Sequence, residues 1–462
     1  MTATSSATES IAVLSVRRTA TDPAARARRE KIASVFPWLL FFAVWLLLFP
    51  AQNQWDAPAH PIDEQSSAEL AQDAQEGNVA NRVVVITLGT IGATLLVRNR
   101  ARLRFNGFLF PILLSFFFWT MLSVLWADDP SLTGRRLVAL AFMVAFSAGC
   151  VARMNEDVLT VFIAGIPALN IVPGVMAEIW YGRFQLFGSH RYGGTAPHPN
   201  VQAASLSVAS ILLCWLAWRT RGSSRIGFGA AAVAVFAFLI MTGSRTSILA
   251  VLAALAFSFI LTIFRHNKRL FLVVLAGCLL LTGMSGLFFL STGSSGDPVT
   301  HALHRNGDDG DAGSFNGRVE LWQQCLKFVA KRPLGGYGYG GFWTAKRIEA
   351  ISQDQTWAIQ QSHSAYIEEL LALGIPGAIL YVAVLFTSLW MCVRRFLQHR
   401  DAYGAWAAVL IFIVIHNLTE SINVAPLFTN LTFNLIVLYL AMVSPDGRST
   451  SHLDYPRESA AM

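Results

Sequence analysis

Three arginines and one histidine carry most of the chemistry that this sequence offers. Arg191 lies in Gly188-Ser-His-Arg-Tyr-Gly-Gly-Thr-Ala-Pro-His-Pro-Asn200, where glycines and prolines dictate a tight irregular loop and Asn200 is suited to cap the following helix. A loop that gathers His190, Arg191 and His198 can hold an anion; a loop that is merely well packed is the alternative. Arg245, in Met241-Thr-Gly-Ser-Arg-Thr-Ser-Ile248, has no charged neighbour and separates two apolar runs by a short turn. An arginine so close to hydrocarbon is costly unless paired or solvated in a cavity, the alternative being a side chain that snorkels to lipid phosphate. Arg318 follows Asn316-Gly317 at a helix start, with Glu320 two residues on as the simplest ion-pair partner. His363, in Gln361-Ser-His-Ser-Ala-Tyr366, stands at the first turn of an apolar run. The positive end of a helix dipole favours the neutral ring, the form a general base requires; Glu368, about one turn on, is placed to orient it. A histidine hydrogen-bonded at the interface is the bland reading.

The elements that must position these groups are membrane spans. Of 462 residues, 54% are hydrophobic and 14% charged, with a mean hydropathy of +0.48, against about 25% charged in a soluble domain. Twelve apolar runs have the length of helical spans: 36-50, 82-97, 108-126, 137-152, 158-180, 200-217, 226-241, 246-264, 270-290, 366-392, 405-418 and 427-443. They lack the alternation of an outer-membrane barrel, so the expected fold is an all-α polytopic membrane protein of about twelve spans. The net charge of +7 is no argument for nucleic acid, because Lys and Arg sort by loop. Residues 1-35 hold six of them, whereas 51-81 has six acids and no Lys or Arg. Alternation from there puts 22 of the 35 on one side, which predicts cytoplasmic termini and a retained anchor at the N-terminus rather than a cleaved signal.

The expected organisation is a cytoplasmic tail over 1-35, nine spans over 36-290, a large periplasmic loop over 291-365, three spans over 366-443 and a cytoplasmic tail over 444-462. Within the loop, 291-314 is rich in Gly, Ser and Asp, and Asp308, Asp309 and Asp311 read there as solvated charges. Gly317 to Arg332 has helical apolar spacing at Val319, Trp322, Leu326 and Val329, predicting a helix on the membrane surface. Gly335-Gly-Tyr-Gly-Tyr-Gly-Gly341 lacks the Lys-Ser/Thr of a phosphate loop and reads as a flexible loop whose Tyr337, Tyr339, Phe342 and Trp343 join the interfacial belt or stack on sugars. Five scattered cysteines show neither a disulfide framework nor zinc-ligand spacing.

The order of these segments resembles a known family. An Arg-containing Gly/Pro/Asn loop (191 to 200), Thr-Gly-Ser-Arg-Thr (242-246), Gly-Arg-x-x-x-Trp (317-322), Pro-x-x-Gly-x-Gly-x-Gly (333-340), Ser-His-Ser-x-Tyr (362-366) and Leu-x-x-x-Gly-x-x-Gly (370-377) together are similar to the O-antigen ligase / Wzy-type polymerase superfamily, and more narrowly to its exopolysaccharide polymerases. The resemblance implies transfer of a polyprenyl-diphosphate-linked glycan to an acceptor hydroxyl at the outer face of the bacterial inner membrane. It implies Arg191, Arg245 and Arg318 as diphosphate ligands and His363 as the essential histidine, with His198, Asn200, Glu368 and Tyr366 in support, and no metal or cofactor. Its implied partners are the lipid-linked oligosaccharide, the bilayer, and a flippase with chain-length or export proteins. Polymerase and ligase share these motifs. A twelve-span secondary transporter and a non-catalytic export scaffold are the readings from other classes, and the absence of a repeat between halves weighs against the transporter.

Overall fold

A computed structural model describes residues 37, 39–46, 68, 71–72, 79–100, 103–105, 107–185, 191–196, 198–267, 269, 318–355, 358–421 and 428–443. The ninth expected span at 270-290, the Gly/Asp-rich segment 291-314, both tails and His190 lie outside the described residues. The chain divides into Met1–Leu46 and Leu47–Met462; in the first, residues 39–46 are helical, within the first expected span.

The second unit is helical throughout its described regular structure. Its helices are α1 (Val79–Asn99), α2 (Leu109–Leu122), α3 (Pro130–Arg153), α4 (Glu156–Trp180), α5 (Pro199–Arg219), α6 (Gly222–Met241), α7 (Arg245–His266), α8 (Arg318–Lys331), α9 (Ala345–Gln355), α10 (Ala365–Leu397), α11 (Ala402–His416) and α12 (Phe428–Met442). Among the described residues seven, α1, α3 to α7 and α10, are long and apolar enough to cross a membrane, and three shorter apolar helices accompany them. The protein is an all-α polytopic membrane protein.

Local sequence explains several helix starts. Asp129 caps α3 by accepting the Leu132 N–H at 2.9 Å, with Pro130 as the first helical residue. Asn155 caps α4 through the Val158 N–H at 2.9 Å. These side chains satisfy donors that a helix N-terminus otherwise leaves open. The centre of the bundle is formed by α5 and α11, whose inward residues are nearly all buried, with α7 and α10 packed against α11. On α6, Ile226 is 75% and Val233 72% exposed, an apolar surface of the kind that lipid covers.

Ion pairs tie the bundle ends together. Arg219 at the end of α5 meets Asp157 at the start of α4, and Arg265 at the end of α7 meets Asp401 at 2.7 Å, just before α11. The starts of α5 and α7 meet the end of α11 at the opposite end, where the candidate site lies.

The segment between α8 and α10 differs from its expectation in two ways. α8 is helical as its spacing predicts, but the buried stripe is Leu321, Cys325 and Val329, while Leu326 is 48% exposed. It packs into an apolar cluster with Tyr337, Phe342, Trp343, Ile348, Ile351, Ile359 and Leu371. The glycine run is part of that cluster: Tyr337 and Phe342 are buried, their rings edge to face at 5.2 Å. The aromatics therefore serve as core, not as an interfacial belt. Glycine permits this docking because the backbone at Gly338, at φ +89°, lies where an added Cβ would come within 2.8 Å of the Thr133 hydroxyl. The run is anchored by the Trp126 indole donating to the Gly335 carbonyl at 2.6 Å and by Arg136 donating to the Gly340 carbonyl. Its other anchor is the kink in α10: Gly374 has φ +69° and ψ −172°, and the next N–H, of Ile375, reaches out of the helix to the Pro333 carbonyl at 2.7 Å. The paired glycine motifs at 333-340 and 370-377 are thus two sides of one junction.

Candidate active site

The site is assembled by the loop before α5, the turn before α7, the start of α8, the turn before α10 and the turn after α11. In the first of these the cap differs from expectation. His198 is the N-cap of α5, extended at φ −147° and ψ 142°, and its Nδ1 accepts the Asn200 N–H at 3.0 Å. Asn200 is inside the first turn, so its amide is turned to long-range contacts. Its Oδ1 accepts from Arg191 Nη2 at 2.6 Å and its Nδ2 donates to Glu420 Oε1 at 2.8 Å. Arg191 Nε donates to the Thr242 carbonyl at 2.7 Å, within Thr-Gly-Ser-Arg-Thr. The Arg-loop and the turn are thereby joined.

Glu420, on the turn after α11, is the hub. Besides Asn200 it accepts from Arg318 Nη2 at 2.8 Å, and its Oε2 lies 3.4 Å from His363 Nδ1. Arg318 also donates to the Thr419 carbonyl. Glu420 is 7% exposed. Burial alone would push its carboxyl up, but the His363 hydrogen bond and the Arg318 charge, with smaller contributions from both histidines, hold it well below the ordinary range, at about 2. The partner of Arg318 is therefore Glu420, not Glu320, which is exposed. A residue two positions along the same helix does not face Arg318, because neighbours on a helix surface lie three and four apart.

His363 also differs from the first-turn reading. Ser364 is the N-cap of α10, so His363 precedes the helix, with φ +54°. A non-glycine residue there is uncommon and points to constraint at a functional site. The turn is held by Glu368, which accepts from the Ser362 N–H at 2.5 Å, while Trp343 Nε1 donates to its two oxygens at 2.9 and 3.0 Å. Glu368 thus braces the backbone that carries His363, and the carboxylate on the ring nitrogen is Glu420. With Nδ1 as the donor to Glu420, the lone pair of the imidazole is on Nε2. Tyr366 points its hydroxyl to the Val414 carbonyl at 3.0 Å, fastening α10 to α11.

Arg191, Asn200, Arg318 and His363 are brought into one connected group. Arg245 joins it through its turn: it is the first residue of α7, exposed, three residues beyond the Thr242 carbonyl that Arg191 holds. Behind it Ser244 donates to Ser247 at 2.9 Å, whose hydroxyl is 3.1 Å from His416 Nε2. Two guanidiniums, of Arg191 and Arg318, are thus linked through Asn200 and Glu420 to a histidine with a nitrogen that can accept a proton, a combination suited to releasing an anionic leaving group as a hydroxyl attacks.

A family model described as O-antigen ligase matches residues 230–382, a stretch that contains Arg245, Arg318, His363 and both glycine motifs. The exopolysaccharide production protein ExoQ of Rhizobium meliloti (strain 1021) is 24% identical over 327 residues, covering 66% of this chain and 72% of that protein. Arg191, Asn200 and Glu420 lie outside the family match and meet it through the fold. This chain is a polytopic membrane protein whose residues 230–382 match the family model described as O-antigen ligase, and over much of its length it is similar to an exopolysaccharide production protein.

Proposed function

We propose that the protein is a polysaccharide polymerase of the bacterial inner membrane, a metal-independent inverting glycosyltransferase that joins polyprenyl-diphosphate-linked repeat units at the periplasmic face. The observation that carries this reading is the Glu420 hub, which gathers Arg318, Asn200 with Arg191, and His363 from distant parts of the chain. In the proposed step the acceptor hydroxyl attacks the anomeric carbon and gives its proton to His363 Nε2. The bond from that carbon to the diphosphate oxygen breaks, and its electron pair leaves with the lipid diphosphate. Arg191, Arg245 and Arg318 grip the departing anion, and bidentate guanidiniums suit this better than lysines. Glu420 holds the ring orientation and stabilises the imidazolium that forms. A single displacement inverts the anomeric centre.

The family description favours a ligase and the name of the similar protein favours exopolysaccharide production, so transfer of a finished glycan to a lipid A core is the second reading. Reconstitution in proteoliposomes with a synthetic lipid-diphosphate repeat unit tests both. A positioned base contributes about 10²–10⁴-fold, the loss expected for His363→Ala. Undiminished turnover removes His363 from the mechanism, retention at the anomeric centre removes the single displacement, and a product limited to one transferred block favours the ligase.

A further inference from the structure

Glu178 is a buried carboxylate that the mechanism above does not use. It lies near the end of α4, inside the apolar run 158-180, and is 5% exposed. An ionisable side chain in such a place is costly and points to a function. Its Oε1 accepts two consecutive backbone amides, Gly193 N–H at 2.8 Å and Gly194 N–H at 2.9 Å. Only Tyr192 separates them from Arg191.

Tyr192 and Gly194 are fixed around the same point. Tyr192 is 1% exposed, its N–H donates to the Met241 carbonyl at 2.9 Å, and its ring packs on Phe238 at 4.9 Å. Gly194 has φ +58°, and a Cβ there would stand 3.0 Å from the Tyr192 hydroxyl. Two amides that point at one oxygen form an anion-binding concavity, and here the chain supplies its own anion. The direction of Arg191 toward Thr242 and Asn200 depends on the backbone two and three residues further on.

We infer that Glu178 is a positioning residue of the donor site: by holding the Gly193 and Gly194 amides it aims Arg191 at the lipid diphosphate. This rests on the reading of Arg191 as a diphosphate ligand. The carboxylate meets backbone amides of the loop that carries Arg191, so its effect on the donor site travels through the placement of Arg191. A misplacement of about 1 Å in a positioned group costs on the order of 100-fold in rate.

The test uses the full chain in nanodiscs, with Glu178→Ala, Glu178→Gln, Arg191→Ala and the Glu178→Ala/Arg191→Ala pair. Two readouts are taken: amide exchange over residues 191–196, and kcat and KM with the lipid-diphosphate repeat unit. Glu178→Ala is expected to raise exchange and lower kcat/KM by about 100-fold. Glutamine keeps an acceptor oxygen for both amides and is expected to restore both readouts. The double variant is expected to be no worse than Arg191→Ala, as for groups acting as a unit. Should Glu178→Ala not fold, Glu178→Asp, too short to reach both amides, takes its place. Unchanged exchange over 191–196, failure of glutamine to restore kcat/KM, or multiplicative losses in the double variant each overturn the inference. Raised exchange in Glu178→Ala together with a fully active Arg191→Ala overturns the reading of Arg191, and the positioning role falls with it.

Discussion

Replacing Glu420 tests the whole arrangement, because one carboxylate serves three partners. In Glu420→Ala, Arg318 keeps its bond to the Thr419 carbonyl but loses its ion pair, and its side chain is only 18% exposed. Asn200 Nδ2 loses its acceptor and His363 Nδ1 loses the oxygen at 3.4 Å. Removing one partner of a buried charge pair costs about 2–5 kcal/mol, much of it the penalty of the charge left behind. If that cost falls on the transition state, kcat/KM drops by about 30-fold to about 5,000-fold. Glutamine separates the contributions. It retains an acceptor oxygen for Asn200 and Arg318 but supplies no negative charge to stabilise an imidazolium, so its loss should appear in kcat more than in KM.

The assay is elongation of a lipid-diphosphate repeat unit in proteoliposomes at saturating donor, with thermal unfolding of the same preparations as the control for folding. Glu420→Gln with wild-type kcat would refute the role given to the carboxylate, since the charge would then be dispensable to proton transfer. Equal losses in kcat for His363→Ala and for a His363→Ala/Glu420→Gln pair are expected if Glu420 acts through His363.

The depressed carboxyl of Glu420 also predicts an acid limit. Its stabilisation is fully present above the ordinary value of 4.5 and is lost as pH falls toward about 2. The shift corresponds to about 3 kcal/mol, read as a falling thermal midpoint below pH 4.5 in wild type that Glu420→Gln flattens; an unchanged acid slope in the variant contradicts it. Gly374→Ala forces a side chain into a backbone region that costs about 1–3 kcal/mol, and its Cβ would meet the Leu334 carbonyl at 2.6 Å. A lowered thermal midpoint is expected, and an unchanged one would mean that the α8–α10 junction does not depend on the kink.

The helices were legible because hydrophobic length is a local property, and Arg191, Asn200, Arg318 and His363 stood out because charge and turn residues beside apolar runs are visible without knowing the fold. Partners were not. Glu420 lies 57 residues from His363 and 102 from Arg318, in an unremarked Asn417-Leu-Thr-Glu-Ser421, so the nearer Glu320 and Glu368 drew the assignment. The capping error at Asn200 has a similar origin: Ser, Thr, Asp and Asn are the preferred caps, and only the loop geometry turns a histidine nitrogen onto the Asn200 amide. The glycine run misled because glycine marks flexibility and close approach alike, and its partners Thr133, Arg136 and Leu371 are remote in sequence. Glu178 is different. It drew no notice in the sequence, although it is a carboxylate inside an apolar run, and hydrocarbon tolerates such a group only where donors meet it. In this chain two glycine amides are among the donors, which any sequence of the right shape could provide. That is why composition can point to the acid while only the fold names what it holds.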